Sequence, residues 1–294
     1  MRATSTIFPY LRHLEAFPPQ AGARWVSFAQ TLALPELKAS NLASAQDKNH
    51  LHQVHHHLEV HSSLKVNLCF HDPSSEYLRR LVLALHNHYG HGLPSSHSST
   101  CGWFWDVRPQ PETLGYRARS ETMGNFPWHT DNSYETAPAR FFALHVLQHD
   151  RCGGGTLSLL KVDRLLDSLS QTAKLDLSKP NFRIAVPPEF RKDGEKACTP
   201  TASGGVTPLT ARAEAALQEL MRLVAQHKET HALHLTSEML PEGSIVLMDN
   251  GRWLHSRNEV RDPERHLRRV RWDATPFSDM PSVNVLDRVE ASGI

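Results

Sequence analysis

The most informative stretch of this chain of 294 residues is Asn125-Phe126-Pro127-Trp128-His129-Thr130-Asp131-Asn132. Side chains two residues apart in an extended segment lie on the same face, so His129 and Asp131 can point into one cavity. Just downstream, the run from Arg140 to Leu147 is mostly apolar and predicts a buried strand. The region therefore predicts a buried β framework with an imidazole and a carboxylate at its edge.

A second stretch, Leu247-Met248-Asp249-Asn250-Gly251-Arg252-Trp253-Leu254-His255, supplies another imidazole. Residues 244–249 predict a buried strand, and Asn250-Gly251 predicts the turn that leads to His255. Two imidazoles and one carboxylate form a facial triad, which leaves three metal positions open and is typical of non-haem Fe(II) oxygenases. Because the chain has 20 histidines, a lone His-x-Asp pair is weak evidence, and the neighbouring motifs must support it.

Two further motifs follow in order. A glycine turn, Gly153-Gly154-Gly155-Thr156, comes after the apolar strand, and Arg265-His266-Leu267-Arg268-Arg269 comes after His255. With Trp-His-Thr-Asp and the Asp249 to His255 spacing, this order resembles the taurine dioxygenase family, which includes herbicide-cleaving and clavaminate synthase-like members. The resemblance covers about residues 120–273, and the first hundred residues resemble the family only loosely.

The resemblance implies a metal and cosubstrate site. His129, Asp131 and His255 would bind Fe(II), with 2-oxoglutarate and O2 occupying the other positions. Thr156 and Arg265 would bind the distal carboxylate of 2-oxoglutarate. A planar guanidinium suits this role because it holds a carboxylate through two parallel hydrogen bonds.

The resemblance also implies a substrate site. Arg269 would contact the acidic group of the substrate or the C1 end of the cosubstrate, and it shares a strand face with Arg265 because four residues is an even step. Asn125 would reach the substrate, although Phe126-Pro127 departs from the common family pattern. The implied reaction oxidises an unactivated C–H bond of a small anionic substrate, an amino acid or related carboxylate, by hydroxylation, desaturation or oxidative cyclisation.

The implied fold is mainly β with surrounding helices, a double-stranded β-helix or distorted jelly roll. We expect a single domain over residues 1–294, with a mainly helical part over residues 1–100 and the jelly-roll core over 101–294. A Gly-, Thr- and Lys-rich insertion around residues 193–207 is expected to act as a lid. Apolar periodicity predicts amphipathic helices over residues 75–86 and 210–227.

Composition excludes several classes of protein. A net charge of +1 and a pI of about 7.9 do not fit a nucleic-acid binder, which normally carries a broad basic surface. No run approaches the roughly 20 apolar residues that span a bilayer. The N-terminus lacks a signal core, and four scattered cysteines fit reduced thiols. We therefore expect a cytoplasmic protein that acts on a small-molecule substrate and has no nucleic-acid or membrane partner. The sequence does not indicate its oligomeric state.

A histidine-rich run from Asn49 to His61 has neither HExxH spacing nor cysteine partners. Its pattern predicts a surface helix with Leu51, Val54 and Leu58 turned inward. Two other functions remain open for the whole chain. One is a hydrolase that uses the same ligands with Zn(II), and the other is a non-catalytic jelly-roll binding protein.

Overall fold

The computed structural model describes residues 33–95, 102–111, 118–135, 137–186 and 205–274. Two sheets, almost entirely antiparallel, enclose an apolar core, and helices cover the outer face of each. This layering is the mainly β architecture with surrounding helices that the sequence predicts. Of the predicted lid, residues 193–204 lie outside the described residues. Within the described ranges, no helix is long and apolar enough to cross a bilayer.

The larger sheet has six strands. They are, in spatial order, β1 (Glu36–Ala39), β2 (Ser63–Leu68), β10 (Ser244–Asp249), β5 (Ala139–Gln148), β12 (His266–Ala274) and β3 (Phe104–Val107). The apolar runs predicted as buried strands are β5 and β10, which lie next to each other in the sheet. Such continuous runs suit strands that are covered on both faces.

The smaller sheet faces the larger one and carries part of the candidate site. Its four strands are, in spatial order, β4 (Phe126–His129), β11 (Trp253–Arg257), β6 (Leu157–Lys161) and β9 (Leu233–Leu235). A separate two-stranded sheet pairs β7 (Phe182–Ile184) with β8 (Val206–Pro208). The start of β8 coincides with the last residues of the predicted lid.

In the described ranges, five α-helices pack outside the sheets. They are α1 (Lys48–His61), α2 (Glu76–Tyr89), α3 (Val162–Ser168), α4 (Gln171–Leu177) and α5 (Ala211–Thr230). Helices α1 and α2 cover the larger sheet, whereas α3 to α5 cover the smaller one. The side chain of Thr210 caps α5 by accepting a hydrogen bond from the N–H of Ala213 at 3.1 Å. Both predicted amphipathic helices, α2 and α5, are confirmed.

Three apolar clusters hold these layers together. The central one lies between the sheets and includes Phe142 of β5, Leu159 of β6 and Met248 of β10. A second cluster joins α1 and α2 to the larger sheet. A third joins α3 to α5 to the smaller sheet through Leu160 and Leu254. Alternate residues of one strand therefore belong to different clusters, as the two-residue period of a strand requires.

Helices α1 and α2 make up most of the regular structure within residues 33–95, the described portion of the N-terminal part. This portion also contains strands β1 and β2, which the sequence analysis did not predict, and β2 pairs with β10 in the larger sheet. The alternation of Leu64, Val66 and Leu68 is only six residues long and lies between two strong helical patterns. Pairing with β10, which is distant in sequence, decides the conformation of this segment.

Leu58→Ala tests the packing of the histidine-rich helix. Leu51, Val54 and Leu58 are all buried on α1, as the pattern predicts. Removing the fully buried Leu58 side chain should lower the free energy of unfolding by about 2–5 kcal/mol, because it leaves a cavity. Val60→Ala on the same helix is the control, since Val60 is 54% exposed and should change stability by less than about 0.5 kcal/mol. Urea denaturation measures both, and equal losses would contradict the assigned face.

Candidate metal centre and anion-binding arginines

The structure brings His129, Asp131 and His255 together between the two sheets. The Nε2 atoms of His129 and His255 lie 3.6 Å and 3.7 Å from Oδ1 of Asp131. One ligand atom from each residue lies within 4.8 Å of the others. Metal–ligand bonds of about 2.1 Å can bridge separations of about 3–4 Å, so the three side chains could share one ion after small adjustments.

Strand pairing positions the two imidazoles. His255 of β11 is paired with His129 of β4, and the register shifts beyond them, between His255 and Arg257. The ring of His129 stacks on Phe126 with centroids 3.8 Å apart, and that of His255 lies 4.7 Å from Phe142. Both rings are therefore held by aromatic neighbours before any ligand is bound.

The protonation of these side chains suits metal binding. The Nδ1–H of His129 donates to the carbonyl of Pro127 at 2.7 Å, which leaves Nε2 with a free lone pair. That Nε2 is buried without a hydrogen-bond partner among the described residues. Burial, with the adjacent His129 ring, lowers the pKa of His255 to about 4, so its imidazole is uncharged at neutral pH.

Asp131 remains ionised despite its burial. Burial alone would raise the pKa of Asp131, but Arg269, His129 and His255 outweigh it and hold the pKa well below its usual range. Nη1 of Arg269 lies 3.0 Å from Oδ2 of Asp131. A buried carboxylate beside two imidazoles is a mixed nitrogen and oxygen donor set that fits Fe(II).

Asn250 holds the backbone of the carboxylate ligand Asp131 in place. The sequence predicted only that Asn250 lies in a turn. Its Oδ1 accepts a hydrogen bond from the N–H of Asp131 at 2.7 Å, and its Nδ2 donates to the carbonyl of Asp131 at 2.9 Å. The same Nδ2 donates to the carbonyl of Ala139 at 3.0 Å. One buried amide therefore ties the metal-binding turn to the start of β5.

Arg265 lies against the glycine turn, apart from the triad. Its side chain is buried, and Nη1 has no hydrogen-bond partner within the described part of the chain. A Cβ atom at Gly155, where φ is +67°, would lie 2.7 Å from Nε of Arg265. Burial, followed by the charge of Arg257, lowers the pKa of Arg265 to about 10. The guanidinium still carries its charge at neutral pH. Asp150 attracts it, and no carboxylate of the described residues forms an ion pair with it.

Thr156 follows this turn directly. Its backbone N–H donates to Oδ1 of Asn258 at 2.7 Å, and its side chain is half-buried. Asp150 shapes the turn by accepting hydrogen bonds from the N–H groups of Gly154 at 3.1 Å and Arg261 at 2.8 Å. Thr156 is therefore held one residue beyond Gly155, the glycine next to the guanidinium of Arg265. Gly155 and Arg265 line a cleft of about 390 Å³, and Thr156 is not among its described lining residues.

Arg269 faces the same side of β12 as Arg265, as the even spacing predicts. It is buried and paired across the sheet with Leu144, a member of the central cluster. Leu267, between the two arginines, belongs to that cluster as well. Asn125, in contrast, is exposed, and the structure shows no contact between its side chain and the other described site residues. Its role toward a substrate stays a prediction.

Arg257 supports the metal-binding strand. Its guanidinium donates to the carbonyls of Ser120, Thr122 and Gly124, the second of these at 2.8 Å. The side chain is buried, and burial lowers its pKa to about 10. The sequence gives no indication of this role, because the partners of Arg257 are backbone groups far away in the chain.

A second group of potential ligands lies between α1 and the larger sheet. His55, Glu59 and His91 have ligand atoms within 4.8 Å of one another. The indole N–H of Trp272 donates to Nδ1 of His91 at 3.1 Å, so in the neutral ring Nε2 carries the proton. That Nε2 lies 3.3 Å from Nδ1 of His55. The contact is therefore a hydrogen bond, and it leaves His91 without a lone pair for a metal.

Comparisons with known proteins agree with this geometry. No family model matches the chain. An L-asparagine oxygenase from Streptomyces coelicolor is 31% identical over 168 residues, which covers 52% of this chain and 48% of that protein. The matched region thus spans about half the length of this curated relative.

Solved structures share the fold more completely. Asparagine oxygenase in complex with Fe(II), 2S,3S-3-hydroxyasparagine and succinate matches with a TM-score of 0.58 at 20% identity, over 78% of this chain and 82% of that one. The non-haem iron oxygenase OrfP, in complex with Fe, succinate and (3S)-hydroxy-L-Arg, matches with a TM-score of 0.55 at 15% identity. This match covers 78% of this chain and 83% of that one. The predicted fold is confirmed, and so is the resemblance to non-haem iron oxygenases.

Asn250→Ala should loosen the metal centre. Without the amide that holds the backbone of Asp131, we expect the affinity for Fe(II) to fall about tenfold to a hundredfold, as is typical when a support of a metal ligand is removed. Asn258→Ala is the matched control, because Asn258 holds Thr156 and not a metal ligand. Anaerobic Fe(II) titration measures both variants. Equal losses of affinity would contradict the role of Asn250.

Gly155→Ala should weaken the binding of an anion at Arg265. Gly153→Ala is a close control, because both glycines have a positive φ, +76° at Gly153 and +67° at Gly155. The two positions differ in that a Cβ atom at Gly153 would have no other atom within 4 Å. Both variants should lose similar stability from the backbone. Only Gly155→Ala should displace the guanidinium and raise the 2-oxoglutarate concentration for half-saturation, by about tenfold or more. Isothermal titration of the Fe(II)-loaded protein compares them, and equal shifts would exclude this contact.

Proposed function

We propose that this protein is an Fe(II)- and 2-oxoglutarate-dependent oxygenase that oxidises a C–H bond of a small anionic substrate, an amino acid or a related carboxylate. The observation that carries the proposal is the presence of two sites on the facing sheets. One is the set of His129, Asp131 and His255, in which Nε2 of His129 has no hydrogen-bond partner among the described residues. The other is the buried guanidinium of Arg265, which forms no ion pair with a carboxylate of the described residues.

The residues of this chain would divide the work as follows. His129, Asp131 and His255 would hold Fe(II), and Arg265 with Thr156 would bind the distal carboxylate of 2-oxoglutarate. When bound, iron, 2-oxoglutarate and O2 supply the oxidising chemistry, and the cosubstrate leaves as succinate and CO2. Arg265 fixes the cosubstrate by a charge-assisted contact in a site that largely excludes water, where such contacts are strong.

Arg269 is placed to orient an acidic group near the metal ligands. It contacts Asp131 directly, so an anion bound to the remaining N–H groups of its guanidinium would lie next to the metal centre. Its Nε has no partner among the described residues. The relatives agree with an amino acid as substrate, since the structures of asparagine oxygenase and OrfP hold hydroxylated asparagine and hydroxylated arginine.

The two other functions predict different behaviour. A Zn(II) hydrolase would use the triad but has no need for a buried guanidinium beside a glycine turn. A non-catalytic binding protein would need neither. The arrangement of both sites on facing sheets favours the oxygenase.

An anaerobic titration tests the proposal. Addition of Fe(II) and then 2-oxoglutarate should produce a weak visible metal-to-ligand charge-transfer band, which reports chelation of the metal by the 2-oxo acid. Asp131→Ala should abolish the band because it removes a metal ligand, while circular dichroism shows the fold retained. Asp163→Ala, which alters a carboxylate on α3, serves as the control and should retain the band. Iron binding without the band would instead favour the hydrolase.

A further inference from the structure

A third guanidinium faces the same space as Arg265 and Arg269. Arg271 lies directly opposite Phe142 in the register of β12 and β5, and the ring of Phe142 contacts that of His255 in a tilted arrangement. Residues directly opposite each other in an antiparallel pair project from the same face of the sheet. Arg271 therefore lies on the face that carries the metal centre, two residues beyond Arg269.

Arg271 has a neutral partner and no acidic one. Its Nη1 donates to Oδ1 of Asn132, the residue after Asp131. No carboxylate of the described residues forms an ion pair with it within 4.0 Å, and Asp131 and, more weakly, Glu135 attract the guanidinium from further away. Burial lowers the pKa of Arg271 to about 10, so it is charged at neutral pH. A charge in this position is costly unless an anion joins it.

The neighbouring turn fixes the direction of this guanidinium. Asn132 has a φ of 54°, in the left-handed region that asparagine tolerates better than most residues. Its Oδ1 accepts from Arg271 and also from the hydroxyl of Tyr134 at 3.3 Å. Asn132 therefore links Arg271 to the turn that carries the proposed metal ligand Asp131.

The charges of the proposed complex point to the kind of ligand. In the proposed complex Arg265 would bind the distal carboxylate of 2-oxoglutarate, whereas Arg269 and Arg271 both attract one buried carboxylate, the metal ligand Asp131. Two guanidinium groups beside a single carboxylate favour an anionic substrate. Arg269 and Arg271 have Cα atoms about 7 Å apart along the strand, a distance that suits two acidic groups joined by a short carbon chain.

We propose that Arg271 binds a second acidic group of the substrate, so that the enzyme acts on small amino acids whose side chain ends in an acid. This inference rests on the proposed function and adds the substrate class. Arg269 binds one acidic group beside the metal, and Arg271, held by Asn132, binds the other. The neutral amide of the same size lacks the charge and fails to match Arg271.

Matched substrate pairs test this inference. Succinate release is measured with wild-type protein, Fe(II), 2-oxoglutarate and O2, using aspartate against asparagine, glutamate against glutamine, and 2-aminoadipate against its side-chain amide. At least one acid should exceed its amide in kcat/KM by about tenfold to a hundredfold, the range of a charge-assisted hydrogen bond. Arg271→Gln should remove this preference, and Arg271→Lys should retain part of it because it keeps the charge.

Arg268→Gln is the control variant. Arg268 lies on the same strand but is hydrogen-bonded to Asp106 and to the carbonyl of Pro73, and it should leave the preference unchanged. The charge-transfer band of each variant reports whether its metal centre is intact. With the band present, a preference for amides, an acid preference that survives Arg271→Gln, or no turnover of any pair would overturn the inference alone. Absence of the band from the wild-type protein would remove the proposed function and the inference together.

Discussion

The pairing of β4 with β11 is the constraint on which the candidate site depends. It sets His129 opposite His255, at the short cross-strand distance that lets two side chains share one ligand. A shift of one residue would turn His255 to the other face of the sheet. That shift is opposed by Leu254, which is buried among α3, α4 and α5 on the outer side. Apolar packing outside the smaller sheet thus fixes the geometry of the polar site inside it.

Buried cations form the second constraint. Arg265 and Arg269 are buried and Arg271 is partly buried. Asp131 attracts Arg269 and Arg271, whereas the carboxylate that attracts Arg265 is that of Asp150. Enclosing unmatched charges lowers the stability of the free protein. Anionic ligands that bind only the folded state would raise the free energy of unfolding again. The same charges that make the site costly to fold therefore make it selective for acids.

The sequence predicted the elements and residues whose signals are local. Strands β5 and β10 and helices α2 and α5 are long, regular patterns, and His129, Asp131 and His255 occur in ordered motifs. Asn250, Arg257 and Arg271 were not assigned to the site, because their partners are distant in sequence. Asn250 binds the backbone of Asp131, 119 residues earlier, and Arg257 binds that of Thr122, 135 residues earlier. Only the fold reveals such contacts, and β2 was missed for the same reason.

Strand β12 shows how one element can bury several charges. Its inner face carries Arg269 and Arg271, while its outer face carries Val270 and Trp272, both buried in the cluster with α1 and α2. The ring of Trp272 stacks on Phe141, and its N–H is satisfied by His91. Burial of apolar surface contributes roughly 25 cal/mol per Å², so a wholly buried indole offsets part of the cost of the charged face. The strand alternation that separates these faces is what allows a stable sheet to present an anion-binding surface beside a metal centre.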